Sequence, residues 1–173
     1  MTRVLVVGDS LAGKTKMLQL ATAGHIPYNV FRSTQIEEYE PISGTTFYVV
    51  PGGITDANLQ QLCVGVDGVV VVYASTSSIC AAKRWLTRIS RLAEGVHRVP
   101  VLICCSGYDR DSMPPLPDAQ LSNLLRRYPF SEHTYLVNTS LCGTRDCINR
   151  IVCRIRRESP SPLAIVRQLT ESR

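Results

Sequence analysis

The residues best suited to chemistry stand close together near the start of the chain. Gly8, Asp9, Ser10, Leu11, Ala12, Gly13, Lys14 and Thr15 read G-x-x-x-x-G-K-T, preceded by the apolar run 4–7 and followed by a stretch that reads as helix. Each residue type has a physical use at that spacing. The glycines let successive backbone N–H groups turn inward on a phosphate, and the helix start adds its positive dipole end. Lys14 reaches the β- and γ-phosphates as a point charge, and Thr15 offers a hydroxyl to Mg²⁺. A strand before the motif and a helix after it separate it from a chance glycine turn.

The elements that must position this loop alternate along the chain. Strands are expected over 4–7, 46–50, 68–73, 101–105 and 134–137, each β-branched or apolar without in-out alternation, as in a parallel sheet covered on both faces. Helices are expected over 14–22, 56–63, 78–92, 118–127 and 146–158. In the last, Ile148, Ile151, Val152 and Ile155 share one face, leaving Arg150, Arg154 and Arg157 for solvent. The order implies a three-layer α/β domain with a mostly parallel central sheet and right-handed crossovers. One domain spans 1–158. "SPSP" at 159–162 ends it, and in the tail 159–173 Leu163, Val166 and Leu169 either fold back on the domain or form a partner-binding turn of helix.

Composition narrows the function classes. A chain of 173 residues with 45% hydrophobic content suffices for one core. The net charge of +5 is carried almost wholly by arginine, with lysine only at Lys14, Lys16 and Lys83. No basic stripe is interleaved with aromatics, so nucleic acid is not an expected partner. The seven cysteines lack paired CxxC spacing and mostly sit in apolar runs, which reads as buried free thiols in a reducing, cytoplasmic setting. The apolar runs are too short to span a bilayer, "MTRV" lacks the glycine for myristoylation and "LTESR" the cysteine for prenylation, so no direct lipid anchor is expected. Any peripheral membrane association would come through a partner. His25, His97 and His133 fall in expected loops without metal-ligand spacing, the Asn138 sequon is inert in a cytosolic chain, and no G-x-S-x-G elbow is present.

On these residues the chain resembles the Ras superfamily of small GTPases, over nearly all of its length up to about Glu158. "VVGDSLAGKT" resembles the phosphate loop of the Rab and Rho branches, and "RSTQIEEYEPI" their first switch, with Thr34 in place of the threonine that senses Mg²⁺ and the γ-phosphate. "GVVVVYASTSSICAAKRWLTRI" is similar to the central strand and its helix, and "VPVLICC" to the strand that delivers the base-recognition loop. "ANLQQLCVGVDGVVVVYA" is similar to the N-terminal GTPase domain of the Miro proteins as well. The resemblance implies a P-loop NTPase fold of Ras type, with GTP or GDP and Mg²⁺ as ligands. It implies a nucleotide-binding set of Gly8, Ser10, Leu11, Ala12, Gly13, Lys14, Thr15 and Lys16, with Thr34, Gly53, Asp109, Ser140 and Leu141. Thr15 and Thr34 are the implied metal ligands.

The departures from that pattern are chemical. Where the family has Asp-x-x-Gly and then a glutamine that orients water, "VVPGGITD" puts Val50 at the aspartate, Gly53 at the glycine and Ile54 at the glutamine. A hold on the metal and the positioning of the attacking water are both lost. Asp56 could act on the metal through a water, but the helix starting there offers it a better role as a cap. The base motif Asn-Lys-x-Asp is Ser106-Gly107-Tyr108-Asp109, keeping the aspartate for guanine and losing the lysine that covers the base. "NTSLCG" resembles the Ser-Ala-Lys element, with Ser140 and Leu141 over the base edge. The short hairpin turning at "ISGT" implies a different partner surface, or a sheet edge left open for pairing.

Two functions follow. One is an atypical GTP-binding switch or adaptor acting through protein effectors or regulators, slow in hydrolysis unless a partner supplies an arginine, with Arg32 as a cis version. The other is a pseudo-GTPase, an interaction scaffold independent of nucleotide. A P-loop kinase or ATPase fits less well, because "GVVVVYAS" ends without the Mg²⁺-binding aspartate such enzymes carry.

Overall fold

The fold rests on six strands without a single helical interruption of their order in space. A computed structural model of the chain describes residues 1–25, 34–93, 98–108, 119–137 and 141–158. In chain order the elements are β1 (Thr2–Val7), α1 (Lys14–Ala23), β2 (Glu37–Ile42), β3 (Thr45–Val49), α2 (Asp56–Cys63), β4 (Gly68–Ala74), α3 (Cys80–Leu92), β5 (Val101–Tyr108), α4 (Ala119–Arg127), β6 (Ser131–Val137) and α5 (Leu141–Glu158). They form one sheet in the order β2-β3-β1-β4-β5-β6, parallel throughout except for β2 against β3.

The apolar strands read from the sequence bury both faces. Val4 and Val6 turn toward α1 and α5, with Phe47, Val49, Val70 and Val72 beside them. Leu5 and Val7 turn the other way, toward α2, α3 and α4, with Val50, Val69 and Val71. Three layers result, as the alternating order of elements implied. The predicted apolar face of the last helix is buried, since Ile148, Ile151, Val152 and Ile155 are at most 2% exposed. Its arginines do more than meet solvent: Arg150 and Arg154 pair with Glu132 of β6, fixing α5 to the sheet edge.

Other expectations shift for physical reasons. The helix expected from 146 begins at Leu141, so the "NTSLCG" run is partly helical. α2 is capped by Thr55, whose hydroxyl accepts from the Asn58 N–H at 3.4 Å, and not by Asp56. His133 lies on β6 rather than in a loop, its Nε2 2.8 Å from the Tyr73 hydroxyl, and burial holds its pKa below the ordinary value. Of the cysteines, Cys104, Cys105 and Cys147 are buried free thiols as expected, whereas Cys63 and Cys80 are half-buried and Cys153 is exposed. The hairpin turns at Ser43 and Gly44 as expected, but its edge is guarded. β2 carries Glu38, Glu40 and Pro41, which disfavour pairing with another chain, and the Glu40 Oε1 accepts the Gly44 N–H at 2.7 Å. No helix among the described residues is long and apolar enough to cross a membrane. The tail 159–173 lies outside the described residues.

Chain direction decides where a ligand can sit. From β1 the chain crosses to β3 on one side, and from β4 to β5 on the other, so the crevice between the carboxyl ends of β1 and β4 is the topological switch point. Gly8 stands in that crevice. A Cβ there would lie 2.1 Å from the Val72 carbonyl oxygen, and its φ of +150° is open only to glycine. Gly8→Ala is therefore expected to destabilise the fold by at least about 3 kcal/mol, through strain and overpacking together. The urea unfolding midpoint measures this, and an unchanged midpoint would contradict the packing described.

Candidate functional site

The turn after β1 holds its shape through its own backbone and through a lysine. The Ala12 N–H donates to the Asp9 carbonyl at 3.2 Å, Leu11 adopts a left-handed φ of +66° and projects 84% exposed, and Gly13 at φ +90° leads into α1. Gly13 gives the helix no side-chain cap, and no acidic residue occupies the first turn. The N–H groups of that turn, which have no intrahelical acceptor by geometry, thus carry no side-chain cap.

Lys14 lies across the inside of this turn. Its Nζ donates to the carbonyl oxygens of Gly8 and Asp9, both at 2.8 Å, and the side chain is 7% exposed. Burial pulls its pKa down from 10.5 to about 8, with Asp9 and Glu37 partly opposing the shift. Its two acceptors are neutral carbonyls, so the ammonium has no carboxylate in direct contact there. An anion in the turn would meet a poorly solvated positive charge.

Around the turn, packing positions the rest. The Ser106 hydroxyl donates to the Ala12 carbonyl at 2.5 Å, so this residue, expected in a base-recognition loop, ties β5 to the turn. The Asp9 carboxylate accepts from Trp85 Nε1 at 2.8 Å and from Arg84 Nη2 at 2.9 Å, tying the loop to α3. Gly52 makes the other close approach: a Cβ on it would lie 2.5 Å from the Ser10 backbone nitrogen. Its neighbour Gly53, the glycine expected at the site, is exposed and makes no such contact.

A cavity of about 550 Å³ opens beside Ser10 and is lined by Thr34, Gln35 and Ile36 on one side and by 51–55 on the other. It brings Ser10, Thr34 and Gly53 together, three of the residues expected at the site. Thr15 faces elsewhere. Its hydroxyl donates to Glu37 Oε2 at 3.2 Å, and the Tyr39 hydroxyl donates to the same oxygen at 2.8 Å. Burial first, and then Glu37, push the Tyr39 phenol up to about 12. Nothing in the sequence marks Glu37 for this place. The pairing of Glu37 with Val49 across the β2–β3 hairpin sets it beside α1, and that register depends on an irregularity between Tyr39 and Ile42, since the two-residue turn alone would place Glu37 opposite Val50.

Of the remaining site residues, Ala12 is buried and Lys16 half-buried. Leu141 opens α5, and its side chain, with Asp109, Ser140 and Arg32, lies outside the described residues. Val50 and Ile54 are both core residues, 0% and 8% exposed. Asp56 is paired with α3 instead, Arg88 Nε and Arg91 Nη2 each lying 2.7 Å from its oxygens. The Arg88 hydrogen bond first, and then its charge and Arg91, hold that carboxyl below its usual range. Arg88 also donates to the Ile54 carbonyl at 2.5 Å and stacks on Trp85, its guanidinium carbon 5.1 Å from the ring centroid. No protein-family model matches the chain, and no curated protein matches it.

The buried lysine makes stability depend on pH in a defined direction. Its folded pKa of about 8 lies below the unfolded 10.5, so between these values the unfolded chain binds the additional proton and stability rises with pH. Below about pH 8 both states are protonated and this contribution is flat. Denaturation of the wild type and of Lys14→Met at a series of pH values isolates it: the wild type is expected to gain about 3 kcal/mol over the variant between pH 8 and 10.5. Parallel curves would contradict the burial of the charge.

Proposed function

We propose that the chain is a Ras-like P-loop domain that binds GTP or GDP with Mg²⁺, hydrolyses GTP weakly or not at all, and acts through protein partners. The observation that carries this reading is Lys14, buried and folded across the turn on two neutral carbonyls at the switch point of a doubly wound sheet. The uncapped start of α1 supports it, since a triphosphate would satisfy N–H groups that no side chain takes. The residues fit such a ligand. Gly8, Gly13 and the first turn of α1 would cradle phosphate oxygens, Lys14 would leave the loop carbonyls for them, and Thr15 would turn its hydroxyl to Mg²⁺. The metal's contribution, when bound, is to neutralise phosphate charge. Guanine is the base proposed because the sequence keeps Asp109.

Weak hydrolysis follows from the second-switch segment. Phosphoryl transfer to water needs a group that orients the nucleophile. Ile54 cannot do so, and it is held in the core while Arg88 and Arg91 fasten Asp56 next to it. The same fastening favours a second reading, a pseudo-GTPase scaffold whose surface does not answer to nucleotide. Titration calorimetry with GTP and Mg²⁺ separates the two. The wild type is expected to bind with one site per chain, and Lys14→Ala to lose about a hundredfold or more in affinity. No heat from the wild type would favour the scaffold, and full affinity in Lys14→Ala would refute the role given to the loop.

A further inference from the structure

We infer that Glu37 is the carboxylate that holds the divalent cation together with Thr15, in place of the aspartate missing at Val50. The inference rests on the nucleotide-binding reading above and deepens its metal site. Three observations carry it.

The first is distance. Mg²⁺ takes oxygen ligands in a near-ideal octahedron at about 2.0–2.1 Å, so oxygens on neighbouring corners lie about 3 Å apart. Thr15 Oγ1 and Glu37 Oε2 lie 3.2 Å apart, already near the spacing of two such corners. The second is orientation. Tyr39 donates to the same Oε2 at 2.8 Å, so the carboxylate is held in place by a neighbour on its own strand, the kind of support that fixes a metal-binding carboxylate. The third is need. The cation at such a site is normally held in part by an acid from the strand beside the loop. At that strand's end Val50 is fully buried among apolar side chains, and Asp56 is spent on two arginines. Glu37 enters from the other face of the sheet. Its partner Val49 turns toward α1, and residues paired across an antiparallel ladder share a face.

A rival role is open to the same residue. A carboxylate beside Thr15 and near Lys14 could simply occupy the place of an anion and compete with it. The two roles predict opposite behaviour when the charge is removed. As a metal ligand, Glu37 favours nucleotide only when Mg²⁺ is present. As a competitor it opposes nucleotide whether or not Mg²⁺ is present.

The test uses the full chain and Glu37→Gln, with a fluorescent GDP analogue followed by anisotropy in excess EDTA and across a Mg²⁺ titration. Mn²⁺ is added as a second probe, read by its electron paramagnetic resonance signal in the GDP complex. The half-saturating Mg²⁺ concentration is expected to rise 10- to 100-fold in the variant, and Mn²⁺ to bind correspondingly more weakly. GDP affinity in EDTA should be unchanged or higher. Thermal midpoints in EDTA verify that both proteins are folded, and should Glu37→Gln fail to fold, Glu37→Asp, which keeps the charge with less reach, is expected to raise the half-saturating Mg²⁺ concentration above the wild-type value, an unchanged value overturning the inference. An identical Mg²⁺ midpoint would overturn the inference, and so would a gain in GDP affinity of equal size with and without Mg²⁺. A wild type that binds no GDP under any condition would instead remove the nucleotide reading itself, and this inference with it.

Discussion

An ammonium group that water scarcely reaches has to be stabilised by dipoles, and this constraint shapes the region around Lys14. The carbonyls of Gly8 and Asp9 can point at its Nζ only if the turn after β1 folds back over the start of α1. That fold needs a backbone at Gly8 pressed against β4, a positive φ at Leu11 and another at Gly13. Nearby carboxylates at Asp9 and Glu37 offset part of the desolvation without touching the ammonium. Keeping the charge there costs stability, and strain or buried charge of this kind clusters at functional sites.

Helix α3 joins the parts that would otherwise move separately. Arg84 and Trp85 hold Asp9 in the loop, while Arg88 and Arg91 hold Asp56 and the Ile54 carbonyl in the segment after β3. Exposed ion pairs are individually worth little. Their effect here comes from serving one rigid helix whose other face, with Trp85, Leu86 and Ile89, is buried in the core. A segment anchored by an apolar residue at 54 and two arginines has few alternative conformations. Under the proposed function, nucleotide would be read out mainly through the stretch around Thr34 and β2, whose glutamate-rich edge suits a basic partner surface better than strand addition.

The parts of this architecture that local chemistry determines were legible in the sequence. The G-x-x-x-x-G-K-T spacing, the apolar strands and the ridge of Ile148, Ile151 and Ile155 all report on neighbours within a few residues, and each lies where it was expected. What escaped depends on register and packing between distant segments. Glu37 reaches Thr15 only because an irregularity in the β2–β3 ladder between Tyr39 and Ile42 shifts its pairing onto Val49. Asp56 reads as a helix cap from its position, yet Thr55 is the residue with the extended backbone a cap requires, and Asp56 answers to arginines 32 and 35 positions away. The start of α5 was displaced because a glycine and a threonine at 143 and 144 are poor helix formers that tertiary packing overrides, Thr144 being buried. Ser106, read as an eroded base contact, has a structural role toward Ala12 that no spacing rule encodes.

Under the proposed function, the turn around Lys14 binds a guanine nucleotide. The most direct test is to denature the purified protein and identify, by chromatography, any nucleotide released and its molar ratio to the chain. GTP or GDP near one per chain is expected, GTP marking a form that does not hydrolyse and GDP one that still turns over slowly. A protein that releases nothing, and takes up neither GTP nor GDP when these are supplied with Mg²⁺, would contradict it.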